Sequence, residues 1–139
     1  MSDKILVVDD DILVLEALHD LLKSAGYEVK VASRGQEAME ILNKEHFDLL
    51  ILDLVMPKMT GFDLCREIRK RDDEKSKIKI IILTAKTSEQ TDNIEEKYGC
   101  NLYLNKPIDP EKLKEFIRCV LENSEQKKMA IMKNLSEIK

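Results

Sequence analysis

Asp9, Asp10, Asp53, Thr84 and Lys106 share one property: each stands just beyond a short apolar run. Asp9 and Asp10 follow residues 5–8, Asp53 follows 49–52, Thr84 follows 80–83, and Lys106 follows 102–104. If those runs are parallel neighbouring strands, the five groups converge on one rim. Three carboxylates close together repel one another, so the cluster calls for a cation. Hard oxygen ligands select Mg²⁺ or a similar ion, which takes one or two carboxylates with water and a phosphate oxygen. A lysine and a hydroxyl beside it can hold the remaining phosphate oxygens. A carboxylate can also accept the phosphoryl group itself, as an aspartyl phosphate. The indicated chemistry is phosphoryl transfer, helped by positioning and charge neutralisation.

The elements that must position these groups are legible in order. The stretch LLILDLVMPKMTG (49–61) runs four apolar residues into Asp53 and then into a loop broken by Pro57 and Gly61. Such a run suits a strand buried on both faces, and in open parallel sheets ligand chemistry gathers at the strands' carboxyl ends. After the first strand, Leu15, Leu18, Leu21, Leu22 and Ala25 have helical spacing, stopped by Gly26. Residues 28–32 read as a second strand. Ser33 with Gln36 forms a capping-box pattern opening a helix that carries Ala38, Met39, Ile41 and Leu42. A helix over about 61–70 carries Phe62, Leu64, Cys65 and Ile68, and 71–77 reads as a polar loop. Thr87 with Gln90 opens a polar helix whose apolar edge is only Ile94 and Tyr98, ended by Gly99. Asp109 caps a last helix with Pro110 at its first position and a stripe of Leu113, Phe116, Ile117, Val120 and Leu121. Strand and helix alternate five times, which predicts an α/β fold with a parallel sheet and helices on both faces.

Composition narrows the partners. A chain of 139 residues suits one domain with a real core. Net charge is -4 without a basic stripe, which argues against direct nucleic-acid binding. No apolar run approaches a membrane span, and the N-terminus lacks a secretory signal, so the cytoplasm is the expected location. Cys65, Cys100 and Cys119 are widely spaced and odd in number, and they read as free, partly buried thiols. His19 and His46 read as surface side chains.

Four motifs in order, VVDDD (7–11), LDLVMPKMTG (52–61), LTAK (83–86) and YLNKP (103–107), resemble the receiver domain of bacterial two-component response regulators, of the chemotaxis-regulator type. The resemblance covers about residues 4–122. It implies a doubly wound, flavodoxin-like (βα)5 fold with strand order 2-1-3-4-5. It implies that Asp53 is the phospho-acceptor, with Asp9, Asp10, Asp53 and the Val55 carbonyl holding Mg²⁺. Of the acidic pair, Asp10 is implied to ligate directly and Asp9 mainly through water. Lys106 is implied to pair with the phosphoryl group, Thr84 to donate its hydroxyl, the Ala85 amide to add a bond, and Tyr103 to be the aromatic switch beside Thr84. The implied donor is a sensor histidine kinase or phosphotransfer protein. The implied readout is an output protein, or a homodimer partner, on the face of the fourth helix, fifth strand and fifth helix. The implied role is regulatory, with slow auto-phosphatase activity.

Each residue alone has a plainer reading: Asp11 a helix cap, Thr84 a buried strand-end hydroxyl, Lys106 a solvated loop charge, Tyr103 core. A haloacid-dehalogenase-like phosphohydrolase would also carry the Asp9/Asp11 pair, but Ile12 and Leu13 replace its usual Gly and Thr/Val. A flavodoxin-like flavin binder needs a phosphate-cradling loop where three aspartates stand. Residues 123–139 are too few for an output domain. Ile131, Leu135 and Ile138 give them the spacing of an amphipathic tail or helix extension. The clean Met1 start favours a stand-alone regulator.

Overall fold

The computed structural model describes residues 3–54, 59–85 and 99–122. Its elements are β1 (Lys4–Val8), α1 (Ile12–Ser24), β2 (Glu28–Ala32), α2 (Gly35–Lys44), β3 (Leu49–Leu52), α3 (Gly61–Arg69), a 3-10 helix (Glu74–Lys77), β4 (Lys79–Thr84), β5 (Leu102–Asn105) and α4 (Pro110–Leu121). All strand pairs are parallel, in the order β2-β1-β3-β4-β5. This is the flavodoxin-like sheet with flanking helices.

Strand composition matches position in the sheet. The three apolar runs form the central strands β1, β3 and β4, whose residues are almost all buried because both faces are covered. The mixed segments form the edges: β2 exposes Glu28 and Lys30, and β5 exposes Asn105. Alternation along the central strands sends Leu6, Val8, Leu50, Leu52, Ile80 and Ile82 to one core, where they join Ala38 and Leu42 of α2 and Leu64, Cys65 and Ile68 of α3. Ile5, Val7, Leu49, Ile51 and Ile81 point the other way and are equally buried. Helix α1 packs against β1 and β2 through the face carrying Leu15, Leu18 and Leu22.

Several local expectations change. Ser33 does not cap α2. Arg34 occupies that position without a side-chain bond, and the Glu37 carboxylate instead reaches back to accept the Ser33 N–H at 2.8 Å. An acid three residues into the helix therefore satisfies the free amide in place of Gln36. The polar segment 71–77 is not wholly loop. Asp73 caps the 3-10 helix by accepting the Lys75 N–H at 3.2 Å. Ala25 is an exposed C-terminal cap rather than part of the apolar face, and Gly26 takes the left-handed φ of +98°. The three cysteines are buried thiols outside any disulfide, not partly buried ones. The helix expected over 87–98 and the amphipathic tail lie outside the described residues.

Residues 107–122 belong to a second compact unit. Within it α4 starts as expected, with Pro110 at its first position and the Asp109 carboxylate facing the Lys112 N–H at 3.4 Å. Leu113, Phe116, Ile117, Cys119 and Val120 are buried.

Candidate functional site

Asp9, Asp53 and Lys106 each sit one step beyond a strand and are held there by a continuation of the sheet ladder, while Thr84 is the last residue of β4. The Asp9 N–H donates to the Ala32 carbonyl of β2 at 3.1 Å, and the Asp53 N–H donates to the Val8 carbonyl of β1 at 2.9 Å. The Lys106 N–H donates to the Thr84 carbonyl of β4 at 2.8 Å. Because Val8 pairs with Leu52, Asp9 and Asp53 are the next neighbours in register. Because Thr84 pairs with Asn105, Lys106 and Ala85 are likewise neighbours. The sheet thus converts four distant sequence positions into one rim.

On that rim, one oxygen from each of Asp9, Asp10 and Asp53 lies within 4.8 Å of the others. Asp9 is only 2% exposed. Its Oδ2 accepts from Lys106 Nζ at 2.7 Å, and its Oδ1 accepts the Asp11 N–H at 2.9 Å. Burial nonetheless pushes the Asp9 carboxyl above the ordinary carboxylate range, outweighing the Lys106 bond and the Asp11 amide. Lys106 Nζ also stands 4.0 Å from Asp53 Oδ2, so one ammonium bridges two of the three acids. Asp10 is exposed and faces approach from solvent, whereas Asp9 is engaged below it. Asp11 is a helix cap, its carboxylate accepting the Leu13 N–H at 2.9 Å.

The donor set fits a hard divalent cation. Lys106 contacts two of the three carboxylates, all donor atoms are oxygens, and exposed Asp10 leaves an open side. A phosphoryl oxygen and water suit such an ion as further ligands. Thr84 is fully buried at the end of β4, and Ala85 is exposed just beyond it. Tyr103 is half-buried against the core shared by α2 and α3, and burial raises the pKa of its hydroxyl. Val55 lies outside the described residues, as do Pro57 and Lys86. His19 and His46 bond to Asp20 and Asp48 near them in sequence, away from the rim.

Sequence reasoning treated Gly61 as loop geometry alone, but it is part of the site's scaffold. A Cβ there would lie 2.4 Å from the Asp53 carbonyl oxygen and 2.9 Å from Leu54 Cα. The Gly61 N–H also donates to the Leu54 carbonyl at 2.9 Å, closing the loop that leaves Asp53. Thr60 and Asp63 add a reciprocal capping box at 3.1 Å each way. The T-x-x-D spacing before an apolar run was the available signal. A cavity of about 590 Å³ with Leu42, Phe47 and Ile78 in its lining opens at the opposite ends of the strands and contains none of these residues.

The family model for the response regulator receiver domain matches residues 5–118. A "Probable transcriptional regulator ycf27" of Cyanophora paradoxa is 42% identical over 123 residues, which cover 88% of this chain and 49% of that protein. The chain spans about half the length of the curated relatives it matches. The chemotaxis protein CheY4 of Vibrio cholerae superposes with a TM-score of 0.79 at 35% identity, covering 86% of this chain and 99% of that one. The receiver domain of sensor histidine kinase PA1611 from Pseudomonas aeruginosa superposes with a TM-score of 0.76 at 26% identity, covering 88% and 99%. In that structure a magnesium ion is coordinated in the active-site cleft. Among the described residues no helix is long and apolar enough to cross a membrane.

Proposed function

The chain belongs to the response regulator receiver family, and from that premise we propose that it is a phospho-accepting switch of a two-component phosphorelay. The observation that carries the reading is the bridging ammonium. Lys106 stands between Asp9 and Asp53 at the ends of adjacent strands, beside the open carboxylate of Asp10.

In this reading an Asp53 carboxylate oxygen attacks the phosphorus of a phosphohistidine on a sensor kinase or phosphotransfer protein. The P–O bond forms as the P–N bond breaks, and the imidazole leaves with the electron pair. Mg²⁺, held by Asp9, Asp10, Asp53 and the Val55 carbonyl, would neutralise charge on the phosphoryl oxygens when bound. Lys106 exchanges its contacts on the carboxylates for a phosphoryl oxygen, keeping its charge where new negative charge arrives. The Thr84 hydroxyl and Ala85 N–H donate to the remaining oxygens. Drawing the Thr84 hydroxyl toward the phosphate alters the space beside half-buried Tyr103, which makes β5 the start of the readout toward an output protein. Slow water attack on the aspartyl phosphate resets the switch. The protein's role is regulatory.

The test is labelling by acetyl phosphate with Mg²⁺, comparing wild type with Asp53→Asn. Acid-stable, hydroxylamine-sensitive label is expected on wild type only and is expected to vanish with chelator. Equal hydroxylamine-insensitive labelling of both proteins would defeat the assignment.

A further inference from the structure

Arg69, the last residue of α3, is a half-buried cation that the mechanism above does not use. Its three nitrogens reach three oxygens, none a carboxylate. Nε donates to the Gly99 carbonyl at 2.8 Å, Nη1 to the Ser76 carbonyl at 2.7 Å, and Nη2 to Asn101 Oδ1 at 3.4 Å. Burial accordingly lowers its pKa from the ordinary guanidinium value. A partly desolvated cation held, among the described residues, by neutral oxygens is costly to place, so its geometry calls for a reason.

The reason lies in what those oxygens belong to. Gly99 and Asn101 are the entry to β5, an edge strand of four residues whose strand partner is β4. Asn101 ties that entry to β4 twice: its N–H donates to the Ile80 carbonyl at 2.7 Å, and its Oδ1 accepts the Ile80 N–H at 2.8 Å. Arg69 touches that same Oδ1 and the carbonyl two residues earlier. Gly99 is shaped for the contact. It has φ +76°, and a Cβ there would lie 3.1 Å from both Cγ and Nε of Arg69. A short edge strand is prone to slip, and a slip of one residue turns every side chain to the other face. It would also move each residue about 3.3 Å along the strand. Tyr103 and Lys106 both ride on this register.

We propose that Arg69 is a positioning residue for phosphoryl transfer: by clamping Gly99 and Asn101 at the entry of β5, it fixes the strand register that sets Lys106 against Asp9 and Asp53. This rests on the reading of Asp53 as phospho-acceptor. Asp9, Asp10 and Asp53 stand just beyond β1 and β3, whose pairing does not involve the clamp, which separates positioning from general damage.

The test uses the full chain with Arg69→Gln and Arg69→Lys. Labelling by acetyl phosphate is expected to slow about tenfold or more in Arg69→Gln, the scale expected of a misplacement near 1 Å. Arg69→Lys, which keeps the charge and one donor but not the fork, is expected to recover part of the rate. Mg²⁺ affinity by titration calorimetry is expected to hold or rise, since a displaced Lys106 no longer competes for Asp9 and Asp53, while the NMR signals of Lys106 and Tyr103 shift. Wild-type labelling rates in the folded variants, or parallel losses of labelling and Mg²⁺ affinity, would overturn the clamp. If Arg69→Gln does not fold, Arg69→Lys is read by the same criteria. Absence of label on wild type would instead defeat the phospho-acceptor reading itself.

Discussion

Replacing Gly61 by alanine tests whether the main chain of Asp53, the proposed acceptor, is held by close packing of α3. The new Cβ would lie 2.4 Å from the Asp53 carbonyl oxygen, 2.5 Å from Leu52 Cδ1 and 2.9 Å from Leu54 Cα. Real Cβ atoms essentially never come within 3.0 Å of a neighbour, so at least 0.6 Å of movement is needed, the gap between 2.4 and 3.0 Å. Leu52 can rotate part of its side chain away, but the other two obstacles are backbone. Overpacking of this kind costs about 1–3 kcal/mol, while restricting the unfolded chain returns only about 0.4–1 kcal/mol. The clash wins, and a net loss of about 1–2 kcal/mol is expected by urea denaturation. The movement falls on the Asp53 carbonyl or on the start of α3. Acetyl-phosphate labelling is therefore expected to slow about tenfold, since misplacement near 1 Å costs up to about a hundredfold. Gly26→Ala is the control. Gly26 has φ +98° and nothing within 4 Å of its would-be Cβ, so it is expected to lose about 1–2 kcal/mol through backbone strain with no change in labelling. Unaltered stability and labelling within twofold of wild type for Gly61→Ala would refute the packing argument.

Asp9→Asn probes the buried carboxyl. With its pKa raised on folding, protonated Asp9 contributes stability that is full below the unfolded value of 3.8 and is lost as pH rises through the folded pKa. In chelator, the stability of wild type relative to Asp9→Asn is therefore expected to fall as pH rises from 3.8 through the folded value, and a flat difference in urea denaturation would contradict this. Cys65 offers a probe of core integrity. Burial pushes its thiol up to about 11, so alkylation at pH 8 followed by mass spectrometry should leave it unmodified until urea unfolds the chain. Rapid labelling of native Cys65 would show that the core between α3 and the sheet opens readily.

Much of the scaffold is readable from residue order because it depends on local periodicity. The runs at 5–8, 49–52 and 80–83 mark strands covered on both faces, and they are the three central strands. Helix α1 stops near Gly26 because only a left-handed residue closes that turn cheaply. The same reasoning misplaced the start of α2: several polar side chains near residues 33–37 could cap it, and Glu37 rather than Gln36 reached the free amide. Such competition is settled by backbone direction, which residue types do not encode.

The chain's residue order alone established that acids, a hydroxyl and a lysine stand at strand ends, because a strand's end is a local event. Strand neighbourhood is not local. Only the sheet order puts β1 beside β3, and so brings Asp9 and Asp53 together, with Lys106 reaching Asp9 across 97 residues of sequence. Gly61 and Arg69 were invisible as scaffold for the same reason. The need for no Cβ at Gly61, and for a forked cation at Arg69, arises from atoms that only packing brings near: the Asp53 carbonyl for one, the Gly99 and Ser76 carbonyls for the other.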